Sequence, residues 1–176
     1  MTGGALRRRW ARGLPPRRKL AIVALAGLAA ASGQAPLGWW WLALPGYGLL
    51  VARVAHAETA ANAFWLAWIG AAAHFAAALF WIVEPFLIEP ERYAWMAPFA
   101  LVFMAFGLAL FWAAPAVLAA RLGQGASARA LLFALAMPLA EWLRGWLFTG
   151  FPWAEPGQVW VGTPVLQLAA LAGPRR

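Results

Sequence analysis

Cysteine and aspartate are absent from these 176 residues, lysine occurs once, at Lys19, and histidine twice, at His56 and His74. Without cysteine there is no disulfide, no thiolate metal site and no thiol nucleophile. Two histidines and no aspartate give no ligand cluster, so neither a metal site nor a cofactor is expected. Lysine-based catalysis is excluded from everything beyond Lys19. Charge is also scarce: 11% of residues are charged, against roughly 25% in an average soluble domain. An ordinary soluble fold could not cover its surface with so little.

What the chain has instead is apolar bulk, 64% hydrophobic with a mean hydropathy of +0.69. Charge-free runs cover Leu20–Ala52, Thr59–Val83 and Tyr93–Ala120, and a helix needs roughly 20 apolar residues to cross a bilayer. The first run is too long for one span, and Gly33-Gln34-Ala35-Pro36-Leu37-Gly38 punctuates it as a turn. The reading is an all-α, polytopic transmembrane helical bundle with five spans, at about 20–32, 37–54, 62–83, 95–119 and 128–147. Residues 1–19 form a basic tail, and 149–176 form an outward loop with the start of a possible sixth helix. Seven basic residues, a short apolar stretch and Ala29-Ala30-Ala31-Ser32-Gly33 resemble a signal peptide. Four further spans follow, so an uncleaved first helix is expected.

The net charge of +8 does not imply nucleic acid. Seven of the 14 basic residues precede the first apolar run, and Arg53, Arg121 and Arg129 fall in loops on the same side. The opposite loop, Glu84–Arg92, holds three Glu and one Arg. The positive-inside rule then puts the N-terminus in the cytoplasm. Nine of the 13 Trp (39, 40, 41, 81, 95, 142, 146, 153 and 160) gather at or beyond the outward helix ends. Indole rings favour that interfacial level, as an aromatic belt or as a lipid-handling surface.

Charge enters a span at Glu141-Trp142-Leu143-Arg144. Three residues apart on a helix, the two share a face. With a helix entering near Ala130 they lie about 17 and 21 Å along its axis. A charge facing lipid there costs roughly 2.5–3.5 kcal/mol, so both must face inward as a buried ion pair, for function or for helix register. His74 sits at mid-depth in the third span, as a cross-helix hydrogen-bonder or as a proton relay. Gly150-Phe151-Pro152-Trp153 is a turn placing two large aromatics at the outer interface.

The stretch Glu141-Trp-Leu-Arg-Gly-Trp-Leu-Phe-Thr-Gly-Phe-Pro-Trp153 resembles the matching segment of bacterial apolipoprotein N-acyltransferases. Weaker matches are Ala35-Pro36, Phe80-Trp81 and Pro164-Val-Leu-Gln-Leu-Ala-Ala-Leu-Ala-Gly173. The resemblance implies a multi-pass enzyme of the bacterial inner membrane. It moves an acyl chain from a phospholipid donor to the N-terminal cysteine amine of an apolipoprotein acceptor. It further implies a periplasmic nitrilase-like domain with a Glu–Lys–Cys triad, in which a carboxylate activates the thiol and the lysine stabilises the oxyanion. These residues supply no catalytic group of that kind, and the chain alone is expected to be inactive. A separate or missing nitrilase-like domain is the expected partner, with membrane lipids. Pro174-Arg175-Arg176 at a would-be helix start suggests an altered reading frame, a truncated gene model or a real fragment.

Arg144, Trp146, Phe151, Pro152 and Trp153 are the residues expected to contact lipid or that domain. Two departures from the family carry expectations. Gly70-Ala71-Ala72-Ala73-His74-Phe75 replaces a glycine-rich run, so helix approach is expected to be looser there. Ala154-Glu155-Pro156-Gly157 replaces an aromatic or glycine-rich run, which leaves the contacts of that loop open. The alternatives are a small transporter or channel subunit using Glu141, Arg144 and His74, or a non-catalytic membrane partner.

Overall fold

A computed structural model describes residues 14–147 and 150–167. The arginine-rich start of the basic tail, Phe148–Thr149 and the C-terminal part of the expected sixth helix, from Leu168, lie outside the described residues. Among the described residues the regular structure is helical: α1 (Arg17–Ala31), α2 (Trp40–Ala55), α3 (Ala60–Ala78), a 3-10 segment (Phe80–Leu87), α4 (Pro90–Tyr93), α5 (Ala97–Leu108), α6 (Leu110–Leu122) and α7 (Ala126–Arg144). Short 3-10 turns follow at Pro156–Trp160 and Pro164–Leu166.

One of the expected spans is bent. The third was expected to reach Val83, but α3 ends at Ala78 and the chain bends by 48° into Phe80–Leu87. Pro85 has no N–H for the Trp81 carbonyl and its ring crowds that position, so a tighter 3-10 path replaces the helix. The fourth, expected over 95–119, lies within one helical stretch, Pro90–Leu122, with a single turn residue at Ala109 between α5 and α6. Pro115 leaves the Phe111 carbonyl without its donor. Two helical stretches, Pro90–Leu122 and Ala126–Arg144, are long and apolar enough to cross a membrane, and Ala60–Leu87 is a third if its bent halves count as one span.

Helix α3 is central, packing against α1, α2, α5 and α6, while α7 closes the bundle against α6 and α2. Its start is capped by the Thr59 side chain, which accepts from Asn62 N–H at 3.1 Å. The core is built from Val23, Leu50, Val54, Phe75, Trp112 and Phe133, all fully buried. Large apolar residues also cover the outside: Leu25, Phe103, Leu131 and Leu135 are exposed. A bundle with charge enclosed and leucine outside inverts a soluble fold and suits a lipid environment.

Small residues set the helix spacing. A Cβ on Gly27 of α1 would lie 1.9 Å from the Gly70 carbonyl oxygen of α3, and one on Gly46 of α2 would lie 2.6 Å from Ala30 N. Helix approach around Gly70 is therefore close, not loose. One glycine on each helix suffices where Ala71, Ala72 and Ala78 fill the rest of the face.

At the basic end, Arg129 donates to Gly123 O (3.1 Å) and Ala57 O (2.9 Å), tying the α2–α3 and α6–α7 connections together. Lys19 pairs with Glu58 at 2.8 Å, and that pairing holds the Glu58 carboxyl below its usual range.

Gly27→Ala is expected to lower stability by about 1–3 kcal/mol, the usual cost of overpacking. Gly48→Ala, where a Cβ meets nothing within 4 Å, is expected to be neutral or stabilising. Thermal unfolding of the two variants in detergent checks the contrast.

Candidate functional site

Opposite the basic end, the C-terminus of α7 turns through Gly145 and Gly150 into the segment 151–155. Gly150 has φ of +81°, and a Cβ there would lie 2.3 Å from the Gly145 carbonyl oxygen. Only glycine fits such a turn without strain. Ala154 is also left-handed, at φ +58°, which costs a non-glycine residue about 1–2 kcal/mol and requires that its surroundings hold it.

The surroundings do so through side-chain donors. Arg144 Nη1 donates to Phe151 O (2.5 Å) and to Trp153 O (2.8 Å). Gln158 Nε2 donates to Pro152 O (3.0 Å), His74 Nε2 to Ala154 O (3.2 Å) and Gln34 Nε2 to Glu155 O (3.0 Å). Five successive carbonyls, 151 to 155, are thereby each met by a side chain. These donors come from the α1–α2 hairpin, from α3, from α7 and from the loop itself. An irregular segment buried without such partners would be costly at every peptide.

Arg144 is the hub. It is 1% exposed and Glu141 7%, and Nε and Nη2 both donate to Glu141 Oε2, with Nε at 3.0 Å. Trp112 Nε1 donates to the other carboxylate oxygen, Oε1, at 2.6 Å. The guanidinium also lies 5.3 Å from the Phe75 ring centroid, a cation–π geometry. The desolvation of both charges, several kcal/mol per ion, is offset only because nearly every donor and acceptor is satisfied. His74, fully buried, stacks on Trp112 with centroids 4.9 Å apart and has Tyr47 at 5.8 Å. Because Nε2 faces a carbonyl it carries the proton as a donor, and Nδ1 has no partner among the described residues.

The structure separates the expected contact residues. Trp146, Pro152 and Trp153 are exposed at this end and Phe151 is half-buried. Trp153 packs edge-on against Trp81 (5.6 Å), and Trp142 lies 6.1 Å from Trp146. Arg144 stands apart from that surface: its guanidinium faces inward and holds the loop. The loop 154–157, whose contacts the sequence left open, makes them through the Ala154 and Glu155 main-chain oxygens, which no side-chain pattern reveals. Sequence reasoning did not single out Gln34, Phe75 or Trp112. For Trp112 the signal was present, since an indole N–H in mid-helix needs a buried acceptor.

Burial pushes the half-buried Glu155 carboxyl above its ordinary range, with the Glu141 charge adding and Arg144 opposing. A raised folded value contributes stability that is present at acid pH and lost as pH rises through it. Glu155→Gln is expected to flatten the fall in melting temperature as pH rises past the ordinary value of 4.5. Arg144→Ala is expected to cost about 3–5 kcal/mol, because it leaves Glu141 buried and uncompensated. Arg144→Ala combined with Glu141→Ala should cost less than the sum of the single changes, and a double-mutant cycle in detergent measures that coupling.

Comparison with known proteins places the whole arrangement. Residues 26–175 match the family model for the apolipoprotein N-acyltransferase N-terminal domain. The apolipoprotein N-acyltransferase of Caulobacter vibrioides is 40% identical over 160 residues, covering 87% of this chain and 29% of the relative. That of Ralstonia nicotianae is 32% identical over 156 residues, 86% of this chain and 30% of the relative. That of Brucella melitensis is 39% identical over 101 residues, 57% of this chain and 19% of the relative. The chain thus spans under a third of the length of these curated relatives. With the Glu141–Trp153 segment and its buried network inside the matched region, the chain belongs to the apolipoprotein N-acyltransferase family, over the part that forms its N-terminal domain.

Proposed function

We propose that this chain is the membrane domain of an apolipoprotein N-acyltransferase of the bacterial inner membrane, with its N-terminus in the cytoplasm and five spans. In this reading α1, α2, α3 with its 3-10 extension, α4–α6 and α7 are the spans, and the 151–155 loop faces outward. The enzyme transfers an acyl chain from a phospholipid to the N-terminal cysteine amine of an apolipoprotein, with a nitrilase-like domain supplying the catalytic groups. The role of these residues is to anchor that domain and fix the height at which lipid and lipoprotein meet it. Trp146, Phe151, Pro152 and Trp153 form the contact surface, and Arg144, Glu141 and His74 position it from beneath.

The observation that carries this reading is the clasp on carbonyls 151–155 within the family's matched segment. A loop so fully tied to three parts of the bundle suits a rigid platform, because positioned chemistry needs supports that do not move. No residue in the chain can act as the thiol nucleophile. The 176-residue chain alone is expected to insert and to transfer no acyl group.

A chimera tests the positive half. Residues 26–175 replace the matched part of the Caulobacter vibrioides relative, and N-acylation of an apolipoprotein substrate is measured. The expected result is retained activity that Arg144→Ala reduces by at least about tenfold, the scale of losing roughly 1.4 kcal/mol of positioning. A chimera that inserts and folds but transfers nothing would contradict the reading. Topology is checked separately by single cysteines in this cysteine-free chain. Gly157→Cys is expected to react with impermeant maleimide from outside, and Gln124→Cys from inside.

A further inference from the structure

At the basic end of the bundle, the start of α1, the end of α2 and the start of α3 border a cavity of about 110 Å³. Its polar lining is Lys19 of α1, Arg53 and His56 at the end of α2, Glu58 of the connection and Asn62 of α3. At about 30 Å³ for each water of the liquid, that volume of about 110 Å³ admits a small polyatomic ion and is too small for a lipid tail. Arg53 and His56 lie three residues apart and share a helix face. His56 Nδ1 donates to Ala52 O at 2.8 Å, which fixes that ring.

Donors are in excess around this cavity. Arg53 carries five N–H donors and Lys19 three. Among the described residues Arg53 has no hydrogen-bond or ion-pair partner, while Lys19 engages one, Glu58 Oε1 at 2.8 Å. Asn62 is 7% exposed, and its Oδ1 is wholly enclosed without a partner. The part of that amide left to reach the cavity is its NH2, which adds two more donors. Glu58 is the one acid in the lining, and Lys19 already neutralises it. A basic residue in the last turn of α2 gains from the helix dipole, but that would hold equally with its side chain in solvent. Arg53 is instead half-buried along the cavity.

Surplus N–H donors that converge from three helices call for an anion with oxygens in several directions. A carboxylate offers two oxygens in one plane, whereas a phosphate group is tetrahedral and takes a guanidinium through two parallel N–H groups. We propose that this cavity binds a phosphate group, clasped by Arg53 and Lys19 with the Asn62 amide donating from α3. The site lies at the end of the bundle opposite the 151–155 loop, and the proposal does not rest on the acyl-transfer reading. A phosphate seated there would tie the start of α1 to the α2–α3 connection, as Arg129 ties that connection to α6–α7.

The test is isothermal titration calorimetry of the 176-residue chain in a neutral detergent. The probes are inorganic phosphate, glycerol 3-phosphate, dihexanoylphosphatidic acid, and dihexanoylglycerol, which has the same tails and no phosphate. One site for a phosphate-bearing probe is expected, with no binding of dihexanoylglycerol at that site. Binding of inorganic phosphate and glycerol 3-phosphate would support the proposal with a soluble phosphate as the source. Binding of phosphatidic acid alone would support it with a lipid headgroup as the source. Arg53→Gln is expected to weaken binding at least about tenfold, the scale of losing charge-assisted hydrogen bonds. Arg92→Gln, which removes the same charge from the exposed Glu84–Arg92 loop, is expected to leave the Kd unchanged. Since Arg53 has no partner in the protein, Arg53→Gln is also expected to keep the native melting temperature without phosphate and to lose the rise that phosphate produces. Lys19→Gln, as a second variant, is expected to weaken binding in the same direction. The proposal is overturned if no phosphate probe binds, or if Arg53→Gln binds as tightly as the native chain. Equal weakening by Arg53→Gln and Arg92→Gln would also overturn it, since that marks attraction to net charge and not a site.

Discussion

Burying one arginine where lipid surrounds the protein is the constraint from which the rest of this structure follows. Arg144 cannot face hydrocarbon, and in the interior it cannot stand unpaired. Glu141, one helical turn earlier, takes Nε and Nη2. The carboxylate's second oxygen then needs a donor, which Trp112 brings from α6. Nη1 needs acceptors, and the chain supplies them by folding back after Gly150, so that the carbonyls of Phe151 and Trp153 point inward. Each satisfied group creates the next demand. The chain of demands ends at a loop whose aromatics are directed outward because its main chain is directed in.

The tight helix spacing serves the same end. Gly27, Gly46 and Gly70 let α1, α2 and α3 approach at backbone contact. That approach brings Gln34 and His74 close enough to reach Glu155 O and Ala154 O. A looser bundle would leave those carbonyls unmet, and the left-handed Ala154 would have nothing to hold it. Close packing along the helices and polar closure at the loop are therefore one arrangement. The apolar groove beside α7 has Arg144, Gly150 and Phe151 of this network among its lining residues.

The sequence made the helices and the charged pair legible for physical reasons. Hydropathy is summed over long windows, and a Glu–Arg pair three residues apart has no tolerable lipid-facing arrangement. Where the helices break was less legible. The bend at Leu79 falls inside the run Thr59–Val83, which reads as continuous, and Pro85 lies beyond that run's end. The loop clasp was legible only from one side. Donor side chains at Arg144 and His74 can be picked out by type, but their acceptors are main-chain carbonyls that every residue has. Gln34, sitting in a turn far from the loop in sequence, carries no mark of the bond it makes 121 residues away. Family likeness located the segment; only the geometry shows what holds it.

The central claim is that Arg144 fixes the 151–155 loop against the bundle. Because the native chain has no cysteine, paired spin labels can be placed freely. The most direct measurement is electron–electron resonance between labels at Gly157 and Leu87 in nanodiscs, with a control pair at Arg53 and the exposed Gln124. This account predicts a single narrow distance distribution for the loop pair in the native chain. It predicts that Arg144→Ala broadens that distribution while the control pair stays narrow. A broad loop distribution in the native chain would contradict the account, and so would a narrow one that Arg144→Ala leaves unchanged.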